Sequence, residues 1–161
     1  IIYMEVLCIM WNKSRSIKLS YILVKCVMGV MVILAIFIPY MVRWYDGIST
    51  GGGIIDTSVF VPLCVTLYLS WVVGMVCLIA LNRLISNIDK DLVFITDNTK
   101  CLRVISWCCI VVGMFFAVFG LWRSLGFLVS FVALFFGLIL RVLKNVFEEA
   151  VALKEENDYT I

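Results

Sequence analysis

Residues 104–143 read VISWCCIVVGMFFAVFGLWRSLGFLVSFVALFFGLILRVL. Two apolar runs, 104–122 and 125–143, are separated only by Arg123 and Ser124, and neither contains Asp or Glu. A hydrocarbon core about 30 Å thick is crossed by roughly 20 apolar residues in an α-helix. Backbone groups in lipid must be satisfied within their own segment. The runs do not alternate apolar and polar residues as barrel strands do. The stretch therefore reads as two membrane helices joined by a turn so short that they form an antiparallel hairpin.

Two further runs upstream have the same character, 19–42 and 59–81. The expected class is all-α: a polytopic membrane protein, a bundle of four transmembrane helices. Composition agrees. Of 161 residues 64% are apolar and 15% charged, with a mean hydropathy of +1.12, whereas soluble domains hold about 45–50% apolar and about 25% charged residues. A soluble fold cannot bury so much apolar matter, and disorder is excluded by the same numbers. A net charge of +2 does not point to direct nucleic-acid binding.

Lys and Arg set the expected orientation. One side carries Lys13, Arg15, Lys18, Arg83, Lys90, Lys100, Arg103, Arg141, Lys144 and Lys154, and the other only Arg43 and Arg123. Both termini are therefore expected in the cytoplasm of a multi-pass cell-membrane protein. The layout is a cytoplasmic N-terminal segment (1–18), the membrane domain (19–143) and a cytoplasmic acidic helical tail (144–161). Ile1–Met10 lacks the basic start of a signal peptide. Met10 is read as the start, with the earlier residues an extension, and a short interfacial segment is the other reading.

The chain has no His, which removes the commonest general base and metal ligand. Its seven Cys contain no C-x-x-C spacing, and most sit in apolar runs as small hydrophobes. No carboxylate pair or activated nucleophile is visible. The expectation is a non-enzyme without catalytic residues, cofactor or metal.

Small residues mark helix contacts, because they let membrane helices approach closely. Ser106, Cys109, Gly113, Ala117 and Gly120 step by 3, 4, 4 and 3. Gly126, Ser130, Ala133 and Gly137 step by 4, 3 and 4. A third stripe is Thr66, Ser70, Gly74 and Cys77. These stripes serve packing within the bundle, or one of them makes a homo-oligomer. Pro39 and Pro62 are read as lying near helix ends. Lys25, the one charge well inside a span, is read as snorkelling. Gly51–Gly53 lack the Lys and Ser/Thr of a phosphate loop and read as a flexible exposed turn.

In the elbow between the second and third spans, Thr96 is expected to cap the third helix, with Asp97 at its positive end. Phe94 is placed at the headgroup level. Beyond Leu143 the fourth helix continues, with Val146, Phe147, Ala150, Val151 and Lys154 on one stripe. Glu148, Glu149, Glu155, Glu156 and Asp158 make the other face acidic, so the tail projects or packs on protein instead of lying on anionic lipid.

The segments WNKSRSIKLSYILVK (11–25), PYMVRWYDG (39–47), FITDNTKCLRVISWCC (94–109), LFFGLILRVLKNVFEEAV (134–151) and LKEENDYTI (153–161) resemble a family of small bacterial membrane proteins called domain of unknown function 2975. The resemblance runs from Met10 to Ile161. It departs from the family pattern at Asp97, where Glu is usual, and at Tyr159, where Leu is usual. The resemblance implies four spans and a place in the cell membrane, and it supplies no biochemical activity. Members are often encoded beside small helix-turn-helix regulators, which points to such a regulator as a partner.

The leading functional expectation is a membrane sensor or anchor that holds a small cytoplasmic regulator. Its candidate contact residues are Phe94, Asn98, Arg103, Glu155, Glu156 and Asp158. A transport or permeation component is the second reading, with Lys25, Thr66, Ser70, Asn82 and Ser106 as its polar path. An envelope-stress or immunity-type protein, using the outer loop, is the third.

Overall fold

Lipid offers the peptide group no hydrogen-bond partner, so each apolar run closes its own bonds as a helix. The computed structural model describes the backbone of residues 2–48, 53–55 and 58–158 and the side chains of residues 17–48, 53–55 and 58–157. The elements are α1 (Ile2–Ile48), α2 (Phe60–Asp89), α3 (Thr96–Phe119) and α4 (Leu125–Asp158), with no strand among the described residues. All four are long and apolar enough to cross a membrane. The expected all-α, four-span class is what is observed. The side chains of Ile1–Met10, on which the reading of an extension rests, lie outside the described residues.

The helices overrun the expected spans. α4 continues past Leu143 to Asp158 and α3 begins at Thr96, ahead of Val104, as expected of the tail and elbow; α2 also runs past Leu81 to Asp89, which was not expected. Apolarity falls at the membrane surface, but the i to i+4 bond does not need apolar side chains. α3 in turn stops at Phe119, short of the expected Trp122. The N–H groups of Leu121, Trp122 and Arg123 fold back onto the Val118 and Phe119 carbonyls in a tight turn.

Packing is serial: α1 lies on α2, α2 on α3 and α3 on α4, and among the described residues no other pair of helices is in contact. The burial pattern says the same. On α1 the residues turned away from the surroundings form one seam, through Val24, Met28, Met31, Ala35, Ile38, Val42 and Tyr45. On α4 the seam runs through Gly126, Ser130, Ala133, Gly137, Leu140, Lys144, Phe147 and Val151. Both repeat every 3.5 residues, the period of left-handed helix packing. The middle helices show the inverse, a single outward stripe, which on α3 is Lys100, Arg103, Val104, Trp107, Met114 and Val118.

Between α1 and α2 the contact is partly polar. Pro39 does not lie near the end of α1 as expected, because the helix continues to Ile48. Proline has no N–H, so the Ala35 carbonyl one turn earlier loses its helical donor. The Tyr68 hydroxyl of α2 donates to that carbonyl at 3.3 Å. One turn further along, the Trp71 indole N–H donates to the Met31 carbonyl at 2.8 Å.

At the end of the bundle that holds the 48–60 connection, Asp46 accepts from the Val59 N–H (3.2 Å) and the Ser58 hydroxyl (3.3 Å). It thereby satisfies the start of α2, whose own cap residue Val59 has no side-chain bond to offer. The connection does not read as a free turn at Gly53. Ile54 and Ile55 donate their N–H groups to the Leu121 carbonyl at 2.8 and 3.0 Å. A β-carbon at position 53 would overlap the Trp122 carbonyl, so only glycine permits this approach. Gly51 and Gly52 lie outside the described residues.

Candidate functional site

The opposite end gathers the elbow between α2 and α3 with the last turns of α4. α2 ends in a paired carbonyl closure: Leu92 N–H donates to the Asn87 carbonyl (3.0 Å) and Asp91 N–H to that of Ile88 (3.1 Å). Asp91 takes the left-handed conformation this closure needs, at φ 58°. The chain then turns back into α3. Thr96 is not the cap, as expected; Ile95 holds that position, and no side chain caps it. Asp97 does stand in the first turn, where a carboxylate meets the positive end of the helix. It pairs with Arg83 of α2 at 2.7 Å and with Lys100 at 3.7 Å.

Asn98 is the centre of the elbow. It is fully buried. Its amide N–H₂ donates to the Leu92 and Val93 carbonyls, both at 2.8 Å, and its oxygen accepts from Asn87 Nδ2 at 2.8 Å. A buried amide with such partners fixes backbone conformation. Asn98 thus holds the elbow from within, while Phe94 and Arg103 stand on its surface.

The tail is tied to this elbow. The Phe94 and Phe147 rings lie 6.1 Å apart, so Phe94 meets α4. Glu148 receives Arg103 at 3.3 Å and forms a close ion pair with Lys144. The expected apolar stripe is shifted: Phe147, Ala150 and Val151 turn inward, whereas Val146 and Lys154 are exposed. Glu155 and Glu156 are exposed on the last turns. Asp158 ends the helix, and its side chain lies outside the described residues.

Along the α3–α4 seam the small residues come together. The Ser106 hydroxyl donates to the Gly137 carbonyl at 2.8 Å. A β-carbon on Gly126 would meet Gly120 backbone atoms at 2.7–2.8 Å, and one on Gly120 the Phe127 ring at 2.7 Å. One on Gly113 would meet Leu134 at 2.8 Å, and one on Gly137 would meet Ile110 at 2.8 Å. Ser130 is buried, and Ala117 and Ala133 are half-buried.

Beside this seam, at the elbow end, Arg103, Ser106, Trp107, Arg141, Lys144 and Asn145 line a cavity of about 390 Å³. The Arg141 guanidinium lies 5.3 Å from the centre of the Trp107 ring. The sequence reading passed over this grouping, although Arg103, Trp107, Arg141 and Asn145 sit at helical spacing on two adjacent helices. Among the described residues no three His, Cys, Asp or Glu side chains are placed to hold a metal ion.

Comparison with known proteins agrees with the membrane architecture. The chain is 23% identical to "Uncharacterized membrane protein YoaS" of Bacillus subtilis (strain 168), over 93% of this chain and 99% of that one. No solved structure matches it. The matched family segment is residues 54–161, which takes in the end of the α1–α2 connection, α2, the elbow, the α3–α4 hairpin and the tail. With two-thirds of its length matched, this integral membrane protein belongs to the family described as "Protein of unknown function (DUF2975)".

Proposed function

We propose that this protein is a non-enzymatic membrane anchor or sensor whose elbow and acidic tail together hold a small soluble regulator, for which a helix-turn-helix protein is the candidate. The observation that carries the reading is the Phe94–Phe147 contact with the Arg103–Glu148 pair beside it. Two segments 45 residues apart in sequence are thereby offered to a partner as one surface. Phe94, Arg103, Glu155, Glu156 and Asp158 are the proposed contact residues, and Asn98 holds from inside the elbow that carries Phe94. An acidic surface steers a basic partner and competes with DNA for it.

The reading places both termini, with residues 1–18 and 144–161, in the cytoplasm on the strength of the Lys and Arg bias. It is tested by crosslinking the full chain in its native membrane, with and without Glu155→Gln, Glu156→Gln and Asp158→Asn together. Loss of a captured DNA-binding protein in the triple variant is expected. Equal capture by both chains overturns the tail's role.

A permeation path has less support. The Thr66 and Ser106 hydroxyls are engaged by the carbonyls of Pro62 and Gly137. Lys25 turns outward, over the Tyr21 ring. Ser70 Oγ and Asn82 Oδ1 remain buried without partners. A homo-oligomer built on one of the small-residue stripes has less support, because the stripes of α3 and α4 pack on each other.

A further inference from the structure

We infer that the cavity between α3 and α4 binds the phosphate of an anionic phospholipid, with Arg141, Lys144 and Arg103 as its cationic wall. It does not rest on the regulator reading; the two share Arg103, whereas Arg141 and Lys144 belong to this cavity alone.

Depth is the first argument. Arg103 lies 16 residues before the end of α3 at Phe119, and Arg141 lies 16 residues after the start of α4 at Leu125. At 1.5 Å per residue both stand about 24 Å from the far end of their helices. In a hydrocarbon core about 30 Å thick, their side chains reach the level where phosphates lie.

Charge is the second. Three cations and the single carboxylate of Glu148 leave the cavity positive. Glu148 engages Arg103 and Lys144, but among the described residues no carboxylate lies within ion-pair distance of Arg141. Its guanidinium rests on the Trp107 face, a placement that holds the planar fork in position for two phosphate oxygens. Lys144 is drawn inward, with only 13% of its side chain exposed. The Asn145 amide adds a polar group to the wall.

The surroundings favour a lipid over free phosphate. From the cavity, the outward face continues over Trp107 and Met114 of α3 and over Leu138 and Val142 of α4, all exposed and apolar. Acyl chains hanging from a bound headgroup would cover them. Glu148 then acts as an internal competitor, holding two of the cations when no phosphate does.

The test uses the full chain in detergent micelles, with phosphatidylglycerol, phosphatidylcholine or inorganic phosphate as probe, and counts bound lipid by native mass spectrometry. Phosphatidylglycerol is expected to be retained about tenfold over phosphatidylcholine. Arg141→Gln with Lys144→Gln should remove the preference, and Arg83→Gln with Lys100→Gln should keep it. Glu148→Gln should raise retention, a gain that a misfolded chain does not produce. The inference is overturned if the Arg141/Lys144 variant keeps the preference or if Glu148→Gln does not increase it. Inorganic phosphate that displaces phosphatidylglycerol at comparable concentration overturns the assignment to lipid.

Discussion

Tyr68 donates its hydroxyl to the Ala35 carbonyl, the one carbonyl of α1 that Pro39 deprives of its helical donor. Tyr68→Phe leaves that carbonyl unsatisfied, at a cost of about 1 kcal/mol in a membrane setting. In a Pro39→Ala background the helix supplies its own N–H, so the same substitution should cost much less. Unfolding of the four variants in micelles gives the coupling, and equal costs in both backgrounds would refute it.

Asn98 should be the most sensitive polar residue of the elbow. Asn98→Ala leaves the Leu92 and Val93 carbonyls and the Asn87 amide without partners, a loss of about 2–3 kcal/mol. Asn87→Ala breaks one of those bonds and should cost less. The exposed Arg83–Asp97 pair is a contrast, since pairs of that kind contribute about 0–1 kcal/mol. Thermal midpoints of Asn98→Ala, Asn87→Ala and Arg83→Gln should fall in that order, and a larger fall for Arg83→Gln than for Asn98→Ala would sink the ranking.

The glycines of the hairpin should not be equivalent. At Gly126 an added methyl meets the Gly120 backbone, which has no room to move. At Gly113 it meets the Leu134 side chain, which can rotate. Gly126→Ala should therefore destabilise by about 1–3 kcal/mol and Gly113→Ala by less. Denaturation of the two single variants checks the order.

Cysteine-free chains carrying a reporter at either end should place both ends in the cytoplasm, as ten Lys and Arg against two require. A signal from outside the cell at either end would overturn that orientation, and the proposed partner surface with it.

The spans were legible because lipid imposes one rule on twenty or so residues at once, and Val59–Leu81 or Leu125–Leu143 obey it along their whole length. Their ends were legible only in part: the run of α4 past Leu143 and the start of α3 near Thr96 could be read, the end of α2 and the stop of α3 at Phe119 could not. Asn82 to Asp89 look like loop by hydropathy, yet the backbone ladder of α2 carries them. The cap at Val59 comes from Asp46, 13 residues earlier, and no local pattern announces an acceptor so far away. Asn98 was picked out by its place in a polar elbow. Its burial depends on Asn87 and on two carbonyls that only the folded turn brings together. Arg141 and Trp107 belong to different helices, so their stacking appears only once the hairpin closes.

The row-like order of the helices has a consequence for how the molecule is made. Each helix after α1 packs on the one synthesised just before it, so most helix–helix contacts join neighbouring segments of the chain. Each new span can dock as it leaves the ribosome, and none waits in the bilayer for a distant mate.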